Sequence, residues 1–469
     1  MIRTLSLLAI SLLLLGNPAG AQLLAVPEAP VRYDADVPSV DFHRGRRDAV
    51  LEGLPKDAVA VVLGGVEGGG SVDDLQEFSQ NPDLYYLTGT LEAGSALVLV
   101  PGGAMVDGLM VREILFVPPK DPALEIWRGR RFGPQRAEQV LGVELALDNR
   151  RFPDVMSSLL SRDDRRAYVV DIPGAVPPNT PLAQQVGVVV EAIQKREGAF
   201  DDEELPRLLQ NLREIKTKEE LTFIRRAVDI TAEAHREVLA SVEAGWHEYQ
   251  IEALIEYTFH RLGSEYPGFP SIVASGENSV LLHYDTNRRR TAAGDLAVLD
   301  IGASYRGYTA DVTRTVPVDG RFTDDQRTIY DIVLAAQEAG IDAAKDGESF
   351  SSVSEAASRV LLRGLAKVGL LRDDRDYSGL LRFFPHGTSH HLGLQVHDVG
   401  SYGILREGMV VTVEPGIYIA PAEDIDPRWW NIGVRIEDDI LITDGDPLVL
   451  SAGAPKDPGE IERLMAEGR

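Results

Sequence analysis

LDIGASYRGYTADVTRT, running from Leu299 to Thr315, reads as two apolar strands around a turn, each strand carrying one carboxylate. Leu296 to Ile301 is apolar except for Asp300, and Tyr308 to Val316 holds Asp311. Ser304 to Gly307 supplies the turn. A two-residue loop of Tyr305 and Arg306 sets position 300 opposite 311. Directly opposed side chains stand about 4.5–5.5 Å apart on one face of a sheet. Two like charges that close repel unless a cation lies between them. A three-residue loop using Gly307 would turn them to opposite faces instead. The same-face register is the expectation. Antiparallel strands of this kind, set among helical segments, indicate an α+β fold.

Two further acids lie in apolar strands downstream. Glu414 ends the run Met409 to Val413 and precedes Pro415-Gly416, which stops it. Glu437 sits among Val434, Ile436 and Ile440. Burying an isolated carboxylate is costly, so each acid needs a cation or hydrogen bonds. A salt bridge to Arg435 or Arg314 accounts for one acid but less well for four. Of the 9 histidines, His386, His390, His391 and His397 fall in PHGTSHHLGLQVHD, residues 385–398. His386 and His390 are four apart, a spacing that shares a face on a helix or a strand. A lone histidine is ordinarily a satisfied core or surface residue. A cluster beside strand carboxylates argues for function. One histidine and four carboxylates suit a pair of divalent ions, Mn²⁺, Zn²⁺, Fe²⁺ or Co²⁺.

Upstream, residues 45–205 alternate short apolar runs with helical stretches such as Ala137 to Leu141. The runs are Ala58 to Leu63, Leu84 to Leu87, Ala96 to Val100, Ile114 to Val117 and Tyr168 to Ile172. This is a smaller mixed α/β domain. Gly64 to Gly70 lacks the Lys-Ser/Thr ending of a phosphate loop and reads as a plain loop. A second domain, 206–455, opens with the capping pair Thr217 and Glu220 before Leu221, Ile224, Val228 and Thr231 at helical spacing. Helices are expected around 248–262, 324–344 and 351–368. Strands are expected at Leu296 to Ala303, Tyr308 to Val316, Met409 to Val413 and Ile432 to Ile442. Residues 456–469 read as a tail.

The amino terminus reads as an export signal. Arg3 supplies a positive start, Leu5 to Leu15 an apolar run, and Ala19-Gly20-Ala21 a small-residue cleavage site before Gln22. Residues 1–21 are then removed, leaving 22–44 as a Pro-rich linker or arm and a periplasmic or secreted protein. Lys and Arg number 47 and Asp and Glu 73, a net charge of -26. That balance argues against nucleic acid and against docking on anionic membrane. With 0 Cys, disulfides and thiol catalysis are excluded, and any metal must be held by O and N donors.

The segments LDIGASYRGYTADVTRT, PHGTSHHLGLQVHD, VTVEPGIY (411–418) and GVRIEDD (433–439) occur in that order. Together they resemble the pita-bread metallopeptidases, a family that includes aminopeptidase P, prolidase and, more distantly, methionine aminopeptidase. FSQNPDLYYLTG, residues 78–89, resembles the N-terminal domain of aminopeptidase P. The resemblance implies a C-terminal pita-bread (creatinase/aminopeptidase) fold and two divalent ions, manganese first among them. It also implies five ligands: Asp300 on one ion, His390 and Glu414 on the other, Asp311 and Glu437 bridging. By the same resemblance His283 lies on the substrate side, His397 steadies the tetrahedral intermediate and His386 lines the pocket. Glu414 carries the proton to the leaving nitrogen, and Tyr418 and Arg435 support the ligating carboxylates. Trp127, in IWRGRRFG, resembles a feature that reaches a neighbouring subunit's site and so implies a homo-oligomer, dimer or tetramer. The implied substrates are peptides with proline in second place.

A prolidase would use the same site on dipeptides. A creatinase-like metal-free hydrolase or a non-catalytic binding module would have lost ligands, and all five are intact here.

Overall fold

In the computed structural model, the hairpin of Leu299–Thr315 turns one residue later than expected. Tyr305 pairs with Tyr308 and Ser304 with Thr309, so the two-residue loop is Arg306-Gly307. Both loop residues have positive φ, 52° and 85°. A tight hairpin favours that backbone because its twist matches the strands, and glycine adopts it freely. The ladder continues with Val312 against Ile301 and Thr313 against Asp300. Asp300 therefore faces Thr313, not Asp311. The slip is two positions in register, which preserves parity, so the two acids are diagonal neighbours on one face.

The structure describes residues 34–65, 78–162, 164–170, 172–173, 176–195 and 200–468, without the side chain of Arg128. The export signal and most of the Gly64–Gly70 cluster lie outside them.

Helix Lys218–Ser241 starts on the expected capping box of Thr217 and Glu220. It buries Ile224, Ala227, Val228, Thr231, Ala234, His235 and Val238 along one face. Thr231 ties it to the hairpin by accepting from the Ala303 amide at 2.9 Å. Helices Glu248–Arg261, Asp324–Ala343 and Ser351–Lys367 fall where the spacing predicts them. They back short antiparallel sheets, the α+β arrangement expected. One sheet is Val312–Pro317, Leu296–Ile301 and Ile272–Ser275.

The run Ile432 to Ile442 is not one strand. It splits into Ile432–Arg435 and Asp438–Leu441, which belong to different sheets. The segment paired with it splits likewise, into Val410–Val413 and Gly416–Ile419, so Gly416 opens a new strand rather than ending one. Both pairings keep one register, Val413 with Asp438 and Gly416 with Arg435. Glu414 and Glu437 therefore oppose each other where the two chains change sheets. Pro415, with no N–H to donate, forces the change.

The N-terminal half is a six-stranded mixed sheet. Its order is Leu145–Asp148, Leu109–Val117, Ala96–Val106, Ala58–Leu63, Arg166–Val169 and Phe200–Asp201. The run Leu84 to Leu87 is helical, not extended. Pro82–Thr88 is capped by the Asn81 side chain at one end and by Gly89 (φ 69°) at the other. Caps at both ends outweigh the apolar run. The expected arm becomes helix from Val40, capped by Ser39. The expected tail carries helix Pro458–Glu467, with Ile461 and Met465 in the main core. Asp36–Arg469 forms one compact unit. Among the described residues, no helix is long and apolar enough to cross a membrane.

The short helix Pro82–Thr88 docks the two halves. Tyr85 donates to the Arg306 carbonyl at 2.8 Å and Tyr86 to the Leu212 carbonyl at 2.8 Å. A Cβ on Gly307 would stand 2.7 Å from the Tyr85 ring. Gly307→Ala is expected to destabilise the protein by about 1–2 kcal/mol from the left-handed backbone, with the ring contact adding to that. Denaturant midpoints should fall, and in a Tyr85→Ala background Gly307→Ala should cost less than in the parent. An unchanged midpoint in Gly307→Ala would contradict this account of the turn.

Candidate active site

The five expected ligands converge. Asp300 and Asp311 come from the hairpin, and Glu414 and Glu437 from the sheet change. His390 lies beside the strand Val410–Val413, its carbonyl accepting from Thr412 N at 2.9 Å. The loop is pinned again where the Glu414 amide donates to Thr388 O at 2.9 Å. The His390 Nε2 stands 3.4 Å from Asp311 Oδ2 and 3.5 Å from Glu414 Oε1. Asp311, His390 and Glu437 each bring a donor atom within 4.8 Å of the others.

Burial and mutual repulsion dominate the electrostatics. Burial, then Asp300, Asp439 and Glu414, push the Asp311 carboxyl well above its ordinary range. Burial, then Asp311, Glu414 and Asp300, do the same to Glu437. Burial lifts Glu414 to about 7, against the pull of His390 and Arg435. Oδ1 of Asp300 and Oδ1 of Asp311 are buried with no hydrogen-bond partner. Such oxygens call for a cation. The His390 Nδ1 lies 3.1 Å from the His391 carbonyl, which can only accept. Nδ1 therefore carries the proton, and Nε2 turns its lone pair toward the acids, the orientation a metal-binding histidine needs. Four carboxylates and one imidazole fit Mn²⁺, Zn²⁺, Co²⁺ or Fe²⁺.

Arg435 organises the surroundings. It donates to Asp300 Oδ2 at 2.6 Å, to the Tyr418 hydroxyl at 2.9 Å and to Thr313 Oγ1 at 3.3 Å. Thr313 in turn donates to Glu437 Oε2 at 2.6 Å. The Asp311 amide donates to Asp439 Oδ2 at 3.1 Å. Arg314 holds the Glu437 carbonyl at 2.5 Å and Asp438 at 2.6 Å. Of the two residues expected to support the carboxylates, Arg435 touches Asp300 directly and Tyr418 reaches it through Arg435. Arg314, expected as a possible salt-bridge partner of an acid, pairs with Asp438 and not with one of the five. Thr313, Asp438 and Asp439 are not among the expected residues, although the corrected register, with Thr313 facing Asp300, points at the first.

His386 Nδ1 donates to the Gly387 carbonyl at 2.7 Å, so its Nε2 accepts from the Tyr418 hydroxyl at 2.9 Å. Nδ1 is also 3.6 Å from Glu414. Burial, then Arg435, lower its pKa to about 4, so the ring is neutral at physiological pH. The His397 ring meets His390 edge to face, centroids 4.3 Å apart. Its pKa is lowered by burial first, then by His390 and His283. His283 is exposed and contributes to the fields at both His386 and His397. His391 turns away, its Nε2 2.9 Å from Ser401 O. Trp127 is 74% exposed on helix Pro122–Arg128. Among the described residues, no contact joins it to the cluster.

The profile of metallopeptidase family M24 matches residues 222–444, and that of the aminopeptidase P N-terminal domain residues 43–168. The Xaa-Pro aminopeptidase of Escherichia coli (strain K12) is 37% identical over 452 residues, 93% of this chain and 99% of that one. Zinc-substituted E. coli aminopeptidase P in complex with product superposes with a TM-score of 0.84 at 37% identity, over 92% of this chain and 99% of that one. Proline aminopeptidase P II from Yersinia pestis gives 0.83 at 36% identity, over 92% and 100%. The chain belongs to metallopeptidase family M24, with a pita-bread catalytic domain behind an aminopeptidase P N-terminal domain. It is a metallo-exopeptidase, and its family implies divalent metal ions.

The raised carboxyls give a stability prediction. In metal-stripped protein the unfolded acids ionise near pH 4 while the folded ones resist. The cluster's contribution therefore falls as pH rises above about 4 and keeps falling through neutrality. Asp311→Asn removes one buried charge, so it should raise the metal-free thermal midpoint at pH 8 more than at pH 5. It should also abolish the gain that added divalent metal gives the parent. A variant less stable than the parent when both are metal-free would contradict the repulsion argument.

Proposed function

We propose that the chain is an exported Xaa-Pro aminopeptidase. It would use two divalent ions, manganese first, to release the N-terminal residue from peptides whose second residue is proline. The observation that carries the dinuclear reading is the surplus of buried acid. Arg435 offsets one charge, yet Asp300 and Asp311 each keep a buried oxygen without a protein partner. Asp300 would serve one ion, His390 and Glu414 the other, and Asp311 and Glu437 both. When bound, the ions supply Lewis acidity to the scissile carbonyl and to the attacking water. Glu414 moves the proton to the departing proline nitrogen. His397 donates to the developing oxyanion. His283 meets the substrate side, and His386, held neutral by burial, lines the pocket.

The substrate class rests on the relatives named as Xaa-Pro aminopeptidases. It is chemically apt, because the tertiary amide before proline offers no N–H for a peptidase to grip. Self-association into a dimer or tetramer finds support in Leu124, Ile126 and Trp127, which are 57%, 82% and 74% exposed on one short helix. There Trp127 would reach a neighbouring subunit's substrate. Export rests on the residue pattern of Arg3 to Ala21. A mature N-terminus at Gln22, read by N-terminal sequencing, is the expected result, and a chain beginning at Met1 would refute it.

Manganese-loaded protein should cleave an Xaa-Pro peptide of three or more residues. It should be much slower on Gly-Pro and on the matching Xaa-Ala peptide, with two metal ions per chain by elemental analysis. A preference for Gly-Pro would make it a dipeptidase. Equal rates on the Xaa-Ala peptide would remove the proline specificity.

A further inference from the structure

His397 occupies a loop that the catalytic sheets do not hold by themselves. The next residue, Asp398, is buried, and its amide donates to His391 O at 2.9 Å. Its carboxylate accepts from Arg213 and, at 3.0 Å, from Lys216. Burial works against that charge, but Lys216 and Arg213 hold the carboxyl below its ordinary range. Arg213 lies in the last turn of helix Glu204–Glu214, which joins the two halves of the molecule. The same guanidinium reaches Asp83 Oδ1 at 2.7 Å and Gln395 Oε1 at 3.2 Å. Asp83 lies in the first turn of helix Pro82–Thr88, in the N-terminal domain. Glu214 grips the loop a second time, accepting from Ser401 Oγ at 2.5 Å and pairing with Arg406 at 3.0 Å.

One buried fork therefore connects the N-terminal domain to the residue beside His397. Arginine suits this place because its planar fork can satisfy several acceptors at fixed angles, as a lysine ammonium cannot. The Arg213 side chain is 2% exposed and that of Asp398 1%, so water does not loosen their contact, while Asp83 at the other end is 14% exposed. We propose that the chain Asp83–Arg213–Asp398 is the device by which the N-terminal domain positions His397. Asp83 and Arg213 are then positioning residues for hydrolysis, at a distance from the reacting atoms. This rests on the oxyanion role of His397 proposed above.

The test is a double-mutant cycle of Asp83→Asn with His397→Ala, on metal-loaded full-length protein and an Xaa-Pro peptide. Asp83→Asn removes the charge at the N-terminal end and leaves Arg213, Lys216 and Asp398 in place. It should keep the parent's metal content and lower kcat by about 10- to 100-fold, as small misplacements do, with KM little changed. In the His397→Ala background it should have no further effect, because residues acting through one another are not additive.

Full kcat in Asp83→Asn overturns the proposal. So does an equal loss in both backgrounds, or a loss that tracks metal content or the thermal midpoint, since each marks a structural role. Full turnover in His397→Ala alone overturns the reading of His397, and this proposal with it.

Discussion

The repulsion among buried carboxylates is the interaction on which the rest of the molecule depends. Two unit charges 4 Å apart at a protein-like dielectric repel by about 4 kcal/mol, and here Asp300, Asp311, Glu414 and Glu437 each feel at least one of the others. A flexible scaffold would relieve this by turning the acids outward. The structure prevents that by placing each on backbone that is itself bound on both sides. Asp300 lies in a strand paired with Ile272 on one side and Thr313 on the other. Glu437 is tied by its own amide to the Thr313 carbonyl at 3.1 Å and by its carbonyl to Arg314. The charge is held for a cation because the backbone has no cheaper place to put it.

The sheet change at Glu414 and Glu437 follows from the same demand. An unbroken strand pair would show alternate residues to opposite faces. Interrupting both chains at one level, with Pro415 on one of them, opens the ladder opposite the hairpin acids. The supporting residues then cross between elements. Arg435 from one sheet holds Asp300 from another, and Thr313 joins Arg435 to Glu437. Below, buried Arg314 and the partly exposed Lys456 neutralise Asp438, the acid that follows Glu437. Asp438 is accordingly held far below the ordinary carboxylate range, despite its burial.

Much of this was legible in the sequence, for identifiable reasons. The ligands sit in apolar strands where a charge is conspicuous, and the long helices carry both periodicity and caps, as Thr217 and Glu220 show. The turn was placed one residue early because Ser304 to Gly307 contains several turn formers. Only the left-handed backbone at Arg306 and Gly307 decides among them. Leu84 to Leu87 has no period to separate strand from helix, and its caps at Asn81 and Gly89 lie outside the run. Asp83 and Arg213 are 130 residues apart, and Arg213 and Asp398 185. Pairs at that separation leave no local pattern, so no reading of spacing could have joined them.

The hydrogen-bond directions around Arg435 carry one last consequence. A guanidinium can only donate, so the Tyr418 hydroxyl that accepts from it must send its own proton elsewhere. His386 Nε2 lies 2.9 Å away and receives it, leaving Nδ1–H to face the Gly387 carbonyl and Glu414. The tautomer that the Gly387 carbonyl selects at His386 is thus reinforced by Asp300's partner, acting through Tyr418. A lysine at 435 would keep a positive charge near Asp300 but lose the planar fork that reaches Asp300, Tyr418 and Thr313 together. With Tyr418 free to rotate, the Gly387 carbonyl alone would hold His386 to its tautomer. The same residue therefore balances charge among the acids and orients the hydroxyl that the neighbouring histidine accepts from, and geometry rather than charge makes arginine necessary there.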